Sequence, residues 1–311
     1  MKNKQGLTLL ELLIVIGIIA VLGGVMLTQF AGSTDSALAA SCMNNMRTLC
    51  NAVLADASKE GYYPSAGSYQ YLEENSTDRS WWQGWIGYDK GGNPVSCYHT
   101  DGGEGADDDQ QYAIQHGSIW SAISGHRGAY VCPAHTRYCK QMKKVVVPSW
   151  SYAMNSYFGW NLRTAADITA GRRSYGSGSF KFLYSANPKE RKRPVEKVLL
   201  FAEIPYVETS VQKPEWSASA GDENDSILQY PPAGDEDQKA NKAGSGGGEI
   251  IGFNHKSGND YSAHIAFADG HCAKIVLPRG ASVDNLKELT TWLCTGVEWA
   301  LNGGKYEAVS E

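Results

Sequence analysis

The sequence predicts an α+β fold in which one long N-terminal helix packs on an antiparallel sheet. Three observations predict it. Residues 7–27 form an apolar run that carries one ionisable side chain, Glu11. Residues 37–59 place Leu38, Met43, Met46, Leu49, Val53 and Leu54 at close to the 3.6-residue spacing of one helix face. Much later, Ser262–Ala268 and His271–Leu277 flank Asp269-Gly270, a strong hairpin signal.

The 21 residues from Leu7 to Leu27 would span about 30 Å as a helix, the hydrocarbon thickness of a bilayer. Lys2 and Lys4 precede this run, which keeps the leader cytoplasmic and sends the C-terminal bulk across the membrane. The helix should continue to Gly61 and Pro64, with Asn44, Asn45, Arg47, Asp56 and Lys59 on its polar side. Gly23-Gly24 or Gly32 are the places for a kink, and Asp35 or Ser36 caps a second segment if Gly32-Ser33-Thr34 breaks the rod.

From 62 to 130 no long period holds, and turn residues and aromatics alternate, so short elements and loops are expected. Val145–Val147, Ser151–Asn155 and Lys197–Glu203 read as strands. Gly171–Ser179 and Gly221–Gly248 read as loop insertions, and Ser282–Leu301 as a closing amphipathic helix. The chain thus divides into a leader (1–6), a membrane-spanning assembly helix (7–30), its amphipathic continuation (31–61) and an α+β head (62–311).

Gly6-Leu7-Thr8-Leu9-Leu10-Glu11 followed by an apolar helix closely resembles the signal of type IV prepilins and type II secretion pseudopilins. The resemblance implies a pilin-like fold, cleavage between Gly6 and Leu7 by a prepilin peptidase, and methylation of the Leu7 amine. It also implies that Glu11 sets the register of one subunit against the next. Leucine stands at position 7 where that family usually has phenylalanine. Physical chemistry agrees with this assignment: a lone carboxylate in lipid costs a few kcal/mol, and a new amine on a neighbouring copy would neutralise it. An ordinary secretory signal has a shorter apolar core and a small-x-small cut site after it, and Glu11 inside the core argues against that reading.

A second resemblance covers most of the chain. Cys42–Arg47, Val131-Cys132-Pro133, Ser151–Asn155, Leu199–Glu203 and Phe267–His271 occur in similar order in a bacterial prepilin-like family named for a histidine, nine residues and Asp-Gly. Here Asn259 holds the histidine's place and His255 lies four residues further from Asp269.

Composition excludes some functions. Net charge is −5, and the one basic cluster, Lys189–Arg193, is interrupted by Glu190, so no nucleic-acid partner is expected. Seven cysteines leave at least one unpaired within the chain. Cys132 and Cys139 could close a small disulfide loop, whereas Cys42 and Cys50, about 12 Å apart along one helix, could not. Zinc is the rival, since His135 lies between Cys132 and Cys139, but no Cys-x-x-Cys pair is present. His255, His264, Asp269 and His271 look catalytic, yet strand alternation speaks against one shared face and Asp269-Gly270 is explained as a turn.

No cofactor is expected beyond a possible structural calcium at Asp107, Asp108 and Asp109 in the acidic loop 101–109. Trp81, Trp82, Trp85, Trp120, Trp150 and Trp160 could stack on sugars, though core packing serves them equally well. The expected function is therefore a non-enzymatic structural subunit of a type IV pilus-like filament or secretion pseudopilus. It would be held in the inner membrane before assembly with its head in the periplasm, then join a periplasm-spanning or cell-surface filament. Its partners would be copies of itself, other pilin-like subunits, prepilin peptidase and an inner-membrane assembly platform. The alternative is a membrane-anchored periplasmic carbohydrate-binding protein or enzyme that uses the same signal.

Overall fold

Helix α1 is one uninterrupted rod, Leu9–Glu60, of 52 residues and about 78 Å. The computed structural model describes residues 9–60, 63–64, 66, 84–87, 90, 95, 97–100, 106–142, 146–155, 158, 195–209, 211–212, 226–228, 250–257, 260–295, 299–302 and 305–308. At residues 11, 22–34, 98–100, 106–108, 146, 195, 227, 257, 295, 299–302 and 305–308 it describes the backbone alone. The rod does not break at Gly32-Ser33-Thr34. Each glycine costs a helix only about 1 kcal/mol, and cooperative helix on both sides outweighs that.

The rod has two characters. Its apolar residues from Leu9 to Val21 are exposed, Leu9 at 79% and Val21 at 67%. Cys42, Met46, Leu49, Cys50, Val53 and Ala57 are buried; of the face expected from the sequence, Met46, Leu49 and Val53 lie here, while Leu38, Met43 and Leu54 are half-buried at its margins. Of the span expected at 7–30, residues 9–30 are helical; among the described residues no helix is long and apolar enough to cross a membrane.

The buried face of α1 lies on the main sheet. Its strands are β3 (Tyr152–Asn155), β4 (Leu199–Glu203), β5 (Ile227–Leu228), β6 (His255–Ser257), β7 (Asp260–Phe267) and β8 (Cys272–Val276), in the order β5-β3-β4-β7-β6 with β8 also on β7. All these pairings are antiparallel except β3 with β5, which is parallel. β8 occupies one edge of β7 through Ser262–Ala266. β4 and β6 therefore share the other edge, β4 at Ile265–Phe267 and β6 at Asp260–Ser262. This topology brings the end of β4 and the start of β6 beside the middle of β7.

Smaller elements complete the head: β1 (Tyr98–Thr100) paired with β2 (Val146–Pro148), α2 (Ala106–Gln115), α3 (Pro133–Gln141), α4 (Val283–Thr295), and the hairpin β9 (Trp299–Asn302) with β10 (Lys305–Ala308). α3 starts on a proline, which fits the first helical position because that N–H has no helical partner.

Several expectations are corrected. The β7–β8 connection is a three-residue loop, closed by Phe267 N–H to His271 O at 2.9 Å, with Gly270 at φ +98°. A two-residue type I′ turn needs positive φ at both central residues, and Asp269 does not have it, so the loop closes over three residues with Gly270 alone left-handed. The closing helix stops at Thr295, and Leu301 lies in β9, because the glycine after Thr295 and the Gly303-Gly304 pair favour a stop and a hairpin. β5 falls inside the stretch 221–248 expected to be a loop. Trp85 and Trp150 are sealed in the core, so neither forms a sugar platform, and Trp120 packs half-buried against it; Trp81, Trp82 and Trp160 lie outside the described residues.

Candidate functional site

Across the main sheet, Tyr152 of β3 pairs with Glu203 of β4. Ala202 pairs with Ile265, so Glu203 stands next to His264 of β7. His255, first residue of β6, faces Ser262 two positions along. From above the sheet, Cys42 of α1 closes the group. These residues are far apart in sequence and all buried.

The Glu203 carboxylate is the centre. Its Oε1 accepts from the Cys42 thiol at 2.8 Å and contacts His255 Nε2 and His264 Nδ1, both at 2.9 Å. Its Oε2 accepts from Asn254 Nδ2 at 3.2 Å. The two imidazoles lie 4.4 Å apart, centroid to centroid. Around this centre, Tyr152 Oη lies 3.2 Å from Cys42 Sγ, and Cys132 Sγ lies 3.9 Å from His255 Nε2 and 3.5 Å from Tyr206 Oη. Ser151 Oγ accepts from Cys132 N–H at 2.9 Å and shares a hydrogen bond with His135 Nδ1 at 2.9 Å, while His135 stacks on Tyr206.

Burial alone would push the Glu203 carboxyl up, but the His255 charge and hydrogen bonds from both histidines hold it well below the usual carboxylate range. Burial likewise opposes a charge on His255, and the Glu203 carboxylate overcomes it, raising His255 to about 10. Glu203 and His255 are thus a buried ion pair. Burial raises the Cys42 thiol, with the nearby Cys132 and Glu203 adding to it. Burial acts on Cys132 in the same way, but hydrogen bonding with Cys42 and His255 outweighs it and draws this thiol down. His135, buried beside Ser151, is pushed down to about 3 and is neutral.

The structure separates the four residues that looked catalytic in the sequence. His255 and His264 meet on Glu203, while Asp269 and His271 pair with each other at 2.6 Å on the exposed turn. Cys132 and Cys139 form no disulfide: all seven cysteines are thiols, and the two are separated by nearly the whole of α3, about 10 Å along its axis. Asp107–Asp109 lie in α2 and not in a loop. A helical backbone uses its carbonyls internally, which removes the loop carbonyls expected to help hold calcium. Gly6 and Leu7 lie outside the described residues; Glu11 is helical.

Cys42, Cys132 and Glu203 each stand in a short motif of the second resemblance, but no spacing in the sequence joins them to one another or to His255 and His264. A further signal was available: Glu203 ends an apolar strand run, and a carboxylate there needs buried partners.

Residues 1–27 match the family model of the prokaryotic N-terminal methylation motif. The chain therefore carries a prepilin-type signal, and Gly6, Leu7 and Glu11 fall inside the matched segment. No match is found among curated proteins or among solved structures. The matched segment runs into the rod α1, whose buried half contributes Cys42 to the cluster.

Proposed function

We propose that the chain is a structural subunit of a type IV pilus-like filament or a secretion pseudopilus. The observation that carries this reading is the methylation motif running into a single rod that is apolar and exposed at one end and buried in an α+β head at the other. Nothing within the described head covers Leu9–Val21. An apolar surface of that extent needs lipid or other helices, and a filament supplies first one and then the other.

In this reading prepilin peptidase cuts between Gly6 and Leu7, the Leu7 amine is methylated, and the rod sits in the inner membrane with its head in the periplasm. Glu11 pairs with the Leu7 amine of an adjacent subunit during assembly. No catalytic role is assigned to the head: the Glu203 cluster is closed over by α1, and its carboxylate has no solvent exposure. The sealed core positions of Trp85 and Trp150 also weigh against the sugar-binding alternative.

A Glu11→Ala variant expressed beside the wild-type chain tests this reading. The expected result is a processed, membrane-held subunit that no longer enters sheared filaments or pseudopili. Undiminished incorporation overturns the pairing and, with it, the filament role assigned to Glu11.

A further inference from the structure

We propose that Cys42, Glu203, His255 and His264 form a closed, four-ligand zinc site that clips the rod α1 to the sheet. The four ligand atoms, Cys42 Sγ, a Glu203 carboxylate oxygen and one nitrogen of each histidine, all lie within 4.8 Å of one another. Around a tetrahedral zinc, with bonds of about 2.0–2.3 Å, such atoms stand roughly 3.3–3.6 Å apart. The contacts of 2.8–2.9 Å on Glu203 Oε1 would lengthen, and the widest pairs, up to 4.8 Å apart, would draw in around the ion.

The donor set is the chemistry zinc prefers: one sulfur, two imidazole nitrogens and one carboxylate oxygen. Its charge balance also fits a buried site. Loading would displace the Cys42 thiol proton and the His255 proton; one thiolate and one carboxylate then neutralise a divalent ion, and two neutral imidazoles complete the shell, so the donor set carries no net charge among apolar residues. Two outer contacts are in place to orient ligands, Asn254 Nδ2 on Glu203 Oε2 and Tyr152 Oη on Cys42 Sγ. A surface groove lined by Asp35, Arg137, Tyr138, Tyr206, Asn254 and His255 leads to the edge of the cluster, which gives an ion a way in. With all four positions taken by protein, no coordination place remains for substrate, and the role is structural.

Such a site would join the segment carrying the prepilin-type signal to three strands of the head, since its ligands come from α1, β4, β6 and β7. The inference rests on neither processing nor assembly, so it survives or fails separately from the filament reading.

The test uses the full-length chain in detergent, stripped with a chelator and reloaded with zinc or cobalt. Expected results are one zinc per chain by elemental analysis, a rise in melting temperature on adding zinc, and a thiolate-to-metal absorption band with cobalt. Cys42→Ser should abolish that band. His264→Gln should weaken zinc by more than the about 10–100-fold typical of losing an outer partner, and Asn254→Ala by about that amount. Cys139→Ser, a thiol on α3 outside the donor set, should change neither. The wild-type cobalt spectrum and zinc stoichiometry decide the matter even if a variant does not fold. A stripped, cooperatively melting chain that takes up no zinc overturns the proposal, as does a cobalt band that survives Cys42→Ser, or a Cys42–Cys132 disulfide in the purified chain.

Discussion

The thiol of Cys42, on the rod that begins with the signal, donates to the Glu203 carboxylate at 2.8 Å across 161 residues of sequence. This contact fastens the rod to the sheet at the point where β4 and β6 meet β7. Around it lies a buried ion pair, Glu203 with His255, whose worth to the fold is measurable.

In the metal-free chain, Glu203→Gln should destabilise the head by about 3–5 kcal/mol, because it removes one member of a buried pair and strands the His255 charge. Chemical denaturation of wild-type and variant chains in the same detergent measures the difference. A loss below about 1 kcal/mol, the range of an exposed pair, contradicts the buried pairing.

The two halves of α1 should respond differently to truncation. Met46→Ala and Leu49→Ala, at fully buried positions, should each cost about 2–5 kcal/mol of head stability. Leu13→Ala, on the exposed apolar half, should change it by no more than about 0.5 kcal/mol. Equal losses at Leu13 and Leu49 would show that the head also covers the first half.

His135 should make the head sensitive to acid. Its folded pKa of about 3 lies below the ordinary 6.5, because burial disfavours its charge while Glu203 opposes this more weakly. The unfolded chain therefore binds the proton more readily. The stabilisation is complete above about pH 6.5 and is lost as pH falls toward about 3. His135→Gln should flatten the fall in melting temperature between about pH 6.5 and 4. An unchanged slope would mean that His135 is not buried neutral.

Gly270 holds the β7–β8 loop at φ +98°, and a Cβ there would stand 3.2 Å from Leu54 Cδ1 of α1. Gly270→Ala should cost more than about 1 kcal/mol, through backbone strain and crowding against the rod. Thermal melting checks it, and a stabilised variant would contradict the loop geometry.

The sequence reveals those parts of the fold that repeat at short range. The buried face of α1 follows from Met46, Leu49 and Val53 at helical spacing, and β7 with β8 from alternation around Asp269-Gly270. The hairpin's loop length was missed because Asp-Gly suits both two- and three-residue connections. The closing helix was extended too far because Val297 and Leu301 continue its apolar period, although Gly303-Gly304 lets the chain turn back as β9 and β10. The Glu203 cluster was hidden for another reason. Cys42, Glu203, His255 and His264 form no spacing pattern; only the strand order that places β4 and β6 on one edge of β7 brings them together. His264 looked like an alternating strand residue and Glu203 like the end of one, and neither shows its partner locally.

The central claim is that the chain is processed and assembled as a pilin-like subunit, and its most direct test is mass spectrometry of the mature N-terminus from membrane and sheared-filament fractions. The account predicts a first residue of N-methylated Leu7, with Met1–Gly6 removed, in both fractions. A mature chain that still begins at Met1, or one cut elsewhere and released as a soluble head, would contradict it.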